Sequence, residues 1–452
     1  MKLKKIFLST LALSLCFNLL VACSSKENPN LAINTSVKTT TKKVTTSKTQ
    51  TSKKTSTSTT TKETEPAYSF QTTGTDDLTI TKFVKNTSKT QLDELVVPDE
   101  IDGIPVTKIG FNAFSSGFSN MTIDKIVFGK NIKEISFINF NLDNIQSIEI
   151  DSDNEHFKIV NDCILSYDEK TFILALNSKS LTIPSTVETI GSYSLNTVST
   201  EVMNGFEFPS NIKTINTNSL TNRVDTIILN EGLTTVNDTG LYVNNIIVPK
   251  SLTKLVARSF YEVENISVAS GNPKYDSRDN CNCVIETETN ELKMVGKNYK
   301  IPSSVTSISS SVFGYTSRFT SITIPSTVRQ IDGDFTFGFC SNLVTLVLPS
   351  DIRFVNGISQ VNHMRYAIEG CSNLKSFNIP DTVTCLYSTD LYNLNSLEYL
   401  YIPAITKIDK DVFKNTPKLT KVKINLTKSE WDALEYVDTS NRLKDIEFEF
   451  KS

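Results

Sequence analysis

The sequence predicts a β-rich solenoid: a right-handed stack of parallel strands joined by short turns or single helical turns. Three observations lead there. The first is a recurring phrase of apolar residues at positions one, four and six, often closed by proline. It reads Leu374-Lys-Ser-Phe-Asn-Ile-Pro380, Leu397-Glu-Tyr-Leu-Tyr-Ile-Pro403 and Phe319-Thr-Ser-Ile-Thr-Ile-Pro325. Alternation over its last three places is the period of a strand, and proline stops the ladder because it has no N–H to give. The second is another phrase about ten residues later, as in Ile109-Gly-Phe-Asn-Ala-Phe114, Ile190-Gly-Ser-Tyr-Ser-Leu195 and Ile408-Asp-Lys-Asp-Val-Phe413. It is too brief for a free-standing helix and reads as a tight return. The third is the spacing, 23 residues from Pro302 to Pro325 and 24 from Pro325 to Pro349. A unit that short cannot bury its own apolar face, so copies must stack and share a core.

The strand phrase recurs at Ile123, Ile145, Met203, Val224, Val243, Val263, Leu343 and Leu419, which implies one strand and one return per unit and about fourteen units. The core is expected to run unbroken through Ile148, Ile183, Phe208, Ile324, Ile379 and Ile402. Two longer spacings, Ile150 to Leu181 and Val268 to Ile301, carry Asn154-Glu-His-Phe157 and Asn272-Pro-Lys-Tyr275. Each is followed by strand-like residues, Cys163 to Tyr167 and Cys283 to Thr287, and reads as a β-hairpin replacing one ordinary repeat. Near the end, Thr427-Lys-Ser-Glu430 has the form of a capping box, with Trp431 and Leu434 on one helix face; residues 426–452 are expected to form a helical C-terminal cap.

The combinations Ser321-Ile-Thr-Ile-Pro-Ser-Thr-Val-Arg-Gln-Ile331 and Leu181-Thr-Ile-Pro-Ser-Thr-Val-Glu-Thr-Ile-Gly191 resemble BspA-like leucine-rich repeats of bacterial surface proteins. The opening segment, Leu78-Thr-Ile-Thr-Lys-Phe83 followed by Gly103-Ile-Pro-Val-Thr-Lys-Ile-Gly110, is similar to that family's usual first repeat. The likeness covers residues 67–425 as a leucine-rich-repeat solenoid. It implies adhesion, with host matrix proteins or glycans as the expected partners.

The N-terminus has a different character. Lys2, Lys4 and Lys5 precede an apolar run from Ile6 to Leu20, the order of a secretory signal and too short for a lasting span. The run ends in Leu20-Val21-Ala22-Cys23, which resembles a bacterial lipobox. That resemblance implies a signal peptide over 1–22 and lipidation of Cys23; an ordinary secretory signal with an incidental Cys23 is the alternative. Two acyl chains anchor stably where one does not. Residues 23–66 then read as lipid anchor and disordered tether, since Thr35 to Thr64 is almost all Thr, Ser and Lys. The expected location is the extracellular side of a bacterial membrane, with the membrane as a partner through lipid alone. The whole chain carries −3; without the signal lysines and this basic stretch, the folded part is left at about −12. That balance argues against nucleic acid as a partner.

No residue pattern points to catalysis, and the chain is expected not to be an enzyme. His156 and His363 are the two histidines, and neither sits in a nucleophile motif. Cys340 and Cys371 each open a Cys-Ser-Asn-Leu phrase and read as buried, core-facing thiols. Cys281 and Cys283 would share one face of a strand, without the further ligands a tetrahedral metal needs. No metal and no cofactor are expected, and disulfide pairing is left open. Asp151-Ser-Asp-Asn-Glu155 reads as a solvated turn, lacking the spacing of a calcium loop.

What remains is the surface of the strand ladder. Outward residues should align through Val127, Glu149, Thr182, Glu207, Ile228, Ile247, Ser267, Thr323, Val347, Asn378, Tyr401 and Lys423. The candidate binding face is Glu207, Ile228, Ile247, Tyr399 and Tyr401. The functional expectation is a surface lipoprotein that presents this solenoid for protein or glycan binding. The alternatives are a structural envelope component without a foreign ligand and, less favoured, an enzyme acting on the cell wall.

Overall fold

A computed structural model describes residues 67–452 apart from 111–112, 115–120, 137–143, 217–222, 238–239, 257–258 and 357–358. The described chain is a β-solenoid of about 14 turns. Each regular turn contributes not one strand but two. The first lies on the predicted phrase, for example Thr345–Val347, Ser376–Asn378, Tyr399–Ile402 and Lys421–Ile424, paired in parallel in that order. The second is only two to four residues long and opens the return phrase: Thr189–Ile190, Thr214–Ile215, Thr235–Val236 and Lys254–Leu255. These also stack in parallel, so Phe172, Ile190, Ile215, Val236 and Leu255 form an inward column beside an outward one of Thr171, Thr189, Thr214, Thr235 and Lys254. The expectation of one strand per unit is corrected here. A two-residue strand is too short to show alternation, and stacking upon identical neighbours creates it.

Both predicted hairpins form. Phe157–Val160, Cys163–Ser166 and Thr171–Ala175 pair antiparallel, as do Tyr275–Asp276, Cys283–Glu286 and Glu291–Val295. Each then leads a new second-face sheet by a parallel pairing, Thr171–Ala175 with Thr189–Ile190 and Glu291–Val295 with Ser307–Ile308. The hairpins also divide the core, against the expectation of an unbroken one. Ile148 belongs to a first cluster, Ile183 and Phe208 to a second, and Ile324, Ile379 and Ile402 to a third. The wall between them is a pair of strands buried on both sides: Ile164 and Leu174 face the first cluster while Cys163, Leu165 and Phe172 face the second. In the other hairpin Val284 and Met294 face the second cluster while Cys283, Ile285 and Leu292 face the third. Such a strand reads as a continuous apolar run, as Cys163-Ile-Leu165 and Cys283-Val-Ile285 do.

One side chain locks each hairpin to the turn before it. Asn154, 2% exposed, donates from Nδ2 to the carbonyls of Gly129 and Ile132, both at 3.0 Å, and its Oδ1 accepts from the N–H groups of His156 and Phe157, both at 2.8 Å. Asn272 repeats the pattern, donating to Pro249 (2.8 Å) and Leu252 (3.0 Å) and accepting from Lys274 and Tyr275. The second junction is tied further by Arg318, whose guanidinium donates to the carbonyls of Val263 and Val295 and lies over the Phe319 ring.

The ends are closed differently. Tyr68–Thr73 pairs antiparallel with Leu78–Lys85 and covers the first turn. At the other end the capping box forms, with Glu430 N–H donating to Thr427 Oγ1 and Thr427 N–H to Glu430 Oε2, and Lys428–Asp432 buries Trp431. The cap also adds a strand that the sequence reading did not include. Glu447–Phe450 pairs in parallel with Lys421–Ile424, and its Glu447 and Glu449 charge the last edge of the sheet, which deters pairing with another chain.

Replacing Asn154 by Ala removes four hydrogen bonds at a buried position and leaves two carbonyls and two N–H groups seeking other partners. The expected loss is about 2–3 kcal/mol, read as a lower urea midpoint, with Asn272→Ala behaving alike. An unchanged midpoint for both variants would show that the clamps do not hold the hairpins.

Candidate functional site

The strand face is built from three sheets set end to end, and its central one holds an exposed apolar pair. Register aligns Thr226 with Asn245, which sets Ile228 opposite Ile247, and Ile247 opposite Ser267. Glu207 bridges Ile228 on the other side. Ile227 and Ile246 point inward and are buried, so by strand alternation their neighbours point out. Ile228 is 42% exposed and Ile247 61%. A polar network frames them at the start of the same strands. Arg223 donates to Asn244 Oδ1 (3.1 Å), Asn244 to Asp225 Oδ1 (2.9 Å), and Asn265 to Asn245 Oδ1 (2.7 Å). Glu207 Oε1 accepts from Asn230 (2.8 Å) on the far side. The arrangement is apolar at its centre and polar at its rim.

In the last sheet the outward residues form two rows. One runs Ser321, Thr345, Ser376, Tyr399, Lys421, Glu447 and the other Thr323, Val347, Asn378, Tyr401, Lys423, Glu449, as the pairings require. Tyr399 and Tyr401 stand side by side and half-buried, the Tyr401 hydroxyl 3.3 Å from Asp381 Oδ1. Lys421 and Lys423 both reach Glu449, at 3.5 and 3.3 Å. Of the five candidate face residues, Glu207, Ile228 and Ile247 are brought together; Tyr399 and Tyr401 belong to the last sheet. Thr182 drops out of the predicted ladder, because Leu181 to Ile183 forms no strand. Leu20, Val21, Ala22 and Cys23 lie outside the described residues.

His156 is exposed. His363 sits with its Nδ1 3.6 Å from the buried Asp390, in a shallow concavity with Gln360, Asn362 and Tyr387. Cys340 and Cys371 are fully buried, each thiol donating to a carbonyl of the preceding turn, Phe313 (2.9 Å) and Phe337 (3.0 Å). The expectation that Cys281 and Cys283 share a strand face is corrected: Cys283 opens the strand Cys283–Glu286, and Cys281 lies in the turn before it. Among the described residues no group of three His, Cys, Asp or Glu side chains is placed to hold a metal, and no helix is long and apolar enough to cross a membrane.

Comparison with known sequences places residues 88–223, 166–274, 293–362 and 350–450 on the BspA type leucine rich repeat region, in six copies. The chain belongs to this family. No functionally curated protein matches the sequence. Among solved structures, this BspA-type chain is similar to the pneumococcal vaccine antigen PcpA, at 15% identity over 85% of this chain and 96% of that one, with a TM-score of 0.46. A leucine rich cell surface protein from Faecalibacterium prausnitzii matches at 18% identity over 82% of this chain and 96% of that one, with a TM-score of 0.47. A leucine-rich repeat protein from Eubacterium ventriosum matches at 18% identity over 78% and 87%, with a TM-score of 0.42.

One feature of these BspA-type repeats was not legible in the sequence. Along the return corner the rings of Tyr242, Tyr261, Tyr315, Phe339, Phe335 and Tyr366 form a row, with neighbouring centroids 5.2 to 6.1 Å apart; the last four stack, while Tyr242 meets Tyr261 tilted and Tyr261 meets Tyr315 edge-on. Four of them, Tyr315, Phe335, Phe339 and Tyr366, have φ between 52° and 62°, a conformation that bulky residues rarely adopt. Their faces are spent on one another, so the row reads as a brace across the second junction. Glu369 lies in this corner, its N–H bonded to the Tyr366 carbonyl, and burial pushes its carboxyl up to about 7.

An acid whose folded pKa is raised binds its proton more tightly in the fold. Its contribution is therefore intact below about 4.5 and is lost as pH rises through about 7. Glu369→Gln, which stays neutral, should leave the melting temperature unchanged at pH 4.5 and raise it above the parent's at pH 8. Equal melting temperatures at both pH values would rule out a buried, strained carboxylate there.

Proposed function

We propose that this chain is a bacterial surface lipoprotein that binds a macromolecule, a matrix protein or a glycan, through the strand face of its solenoid, in adhesion. The observation that carries the reading is the aligned, exposed Ile228 and Ile247 with their polar frame, held on a rigid sheet. Apolar centres with polar rims are the anatomy of protein interfaces, and a surface already ordered loses little freedom on binding. The relatives named as a vaccine antigen and a cell surface protein agree with a surface location. The Leu-Val-Ala-Cys23 ending supports the lipid anchor, and the Thr, Ser and Lys stretch after it supports a tether that holds the solenoid away from the membrane.

Changing Ile228 and Ile247 together to Lys places two charges on the face without touching the core. Melting temperature should hold, and adhesion of cells to a panel of immobilised matrix proteins and glycans should fall at least tenfold. Full adhesion in the double variant would remove this face from consideration; no adhesion by the parent would favour a structural envelope component. Separately, Cys23→Ala should abolish incorporation of a fatty-acid analogue, and equal labelling of parent and variant would rule out lipidation at this residue.

A further inference from the structure

The turn that opens the second hairpin holds two thiols one residue apart. Cys281 and Cys283 flank Asn282, whose φ of 53° folds the backbone back. Each sulfur lies near the other residue's carbonyl: the Cys283 thiol donates to Cys281 O at 3.1 Å, and Cys281 Sγ is 3.8 Å from Cys283 O. Both are free thiols, 1% and 0% exposed. The first hairpin makes the same turn with one thiol. There Asp162 takes φ 59°, Cys163 donates to Asn161 O at 3.3 Å, and an exposed asparagine stands where Cys281 does. The register is the same too, Cys163 opposite Ala175 and Cys283 opposite Val295. The turn therefore does not need the second sulfur to fold.

The pair divides a proton unequally. The neighbouring Cys283 side chain, with a weaker contribution from Ser277 at 3.8 Å, pulls Cys281 down to about 7 despite its burial. The same contact, with desolvation, pushes Cys283 far up. The contact thus favours ionisation of Cys281 over Cys283, which assigns Cys281 the attacking role and Cys283 the resolving one.

We infer that Cys281 and Cys283 are a redox-active pair that closes to a disulfide on exposure to peroxide. In the first step the Cys281 thiolate attacks one oxygen of hydrogen peroxide. An S–O bond forms, the O–O bond breaks, and the departing hydroxide takes a proton to become water. In the second, the sulfur of Cys283 attacks Cys281 sulfenic acid; the S–S bond forms, the S–O bond breaks, and the hydroxyl leaves with the Cys283 proton as water. Two thiols lose two electrons, and one peroxide becomes two waters. Both sulfurs are buried, and the site follows directly in sequence on the exposed Asp279 and Asn280. Closure acts on a structural joint, because Asn282 between the two sulfurs donates to Glu264 O (2.8 Å) and accepts from Ile266 N–H (2.7 Å), tying the hairpin to the first-face strand Asn265–Val268.

The test treats the full chain with hydrogen peroxide, unfolds it in iodoacetamide and reads each cysteine by peptide mass spectrometry. The peptide holding Cys281 and Cys283 should lose two hydrogens and take no alkyl group, while Cys163, whose thiol burial pushes up to about 11, alkylates fully. The rate should rise with pH around a midpoint near 7. Cys283→Ser should stop at a sulfenic acid on Cys281, trapped by dimedone, and Cys281→Ser should leave Cys283 alkylatable. Full alkylation of both residues in the parent after peroxide, or oxidation of Cys163 at the same rate, would overturn the inference. Oxidation of Cys283 at the parent's rate in Cys281→Ser would do the same.

Discussion

A turn of some twenty-three residues has no interior of its own, and the whole molecule follows from that. Each apolar phrase is half of a packing arrangement whose other half is the turn above or below, so burial is shared between neighbours and stability is a sum over adjacent pairs. Parallel strands are the natural outcome, since every unit repeats the same path and presents the same edge to the next. The inward columns, such as Phe172 through Leu255 and Leu292 through Phe354, are the visible form of this constraint. Outward columns come with them at no further ordering cost, because fixing the inward residues fixes their neighbours on the strand.

The same constraint explains why the hairpins are walls. An antiparallel unit interrupts the repeated path, and it is tolerated only if both of its faces find apolar partners. The central hairpin strands meet this demand with consecutive apolar residues, and Asn154 and Asn272 satisfy the polar groups left where one geometry gives way to the other. Each wall starts a second-face sheet, so the core is three clusters in series. A local defect should then be confined by the nearest wall more than it would be in an uninterrupted stack.

Much of this was readable in the residues, and the limits are physical. The first-face strands carry period-two alternation, so Ile228, Ile247, Tyr399 and Tyr401 could be placed outward in advance. The second-face strands could not be read, since two residues show no period. The role of Asn154 was hidden because its carbonyl partners, Gly129 and Ile132, lie 25 and 22 residues back. The aromatic brace was hidden for the same reason: it crosses a hairpin, where Thr316 reaches Glu262 across 54 residues. Thr182 was misplaced because its phrase matches the strand pattern while its neighbours are the newly started sheet, which gives it no first-face partner to pair with. Pattern reports what a residue can do, and stacking decides whether a partner is present.

The polarity of the strand face follows from the same register. Where the array ends, Lys421, Lys423, Glu447 and Glu449 surround the last unpaired edge with charge, which opposes addition of another strand. In the central sheet the strand Leu241–Val248 needs no such protection, because it is paired on both sides, with Arg223–Thr226 and with Asn265–Val268. There an outward position is free to be apolar without risk of edge pairing, and there Ile247 occurs, with Ile228 beside it and bridged to Glu207. The sheet thus separates two demands that conflict at an edge: keeping strands from recruiting other chains through the backbone, and presenting apolar side chains to a partner. An interior position satisfies both, which is the physical reason to look for binding in the central sheet before the terminal one.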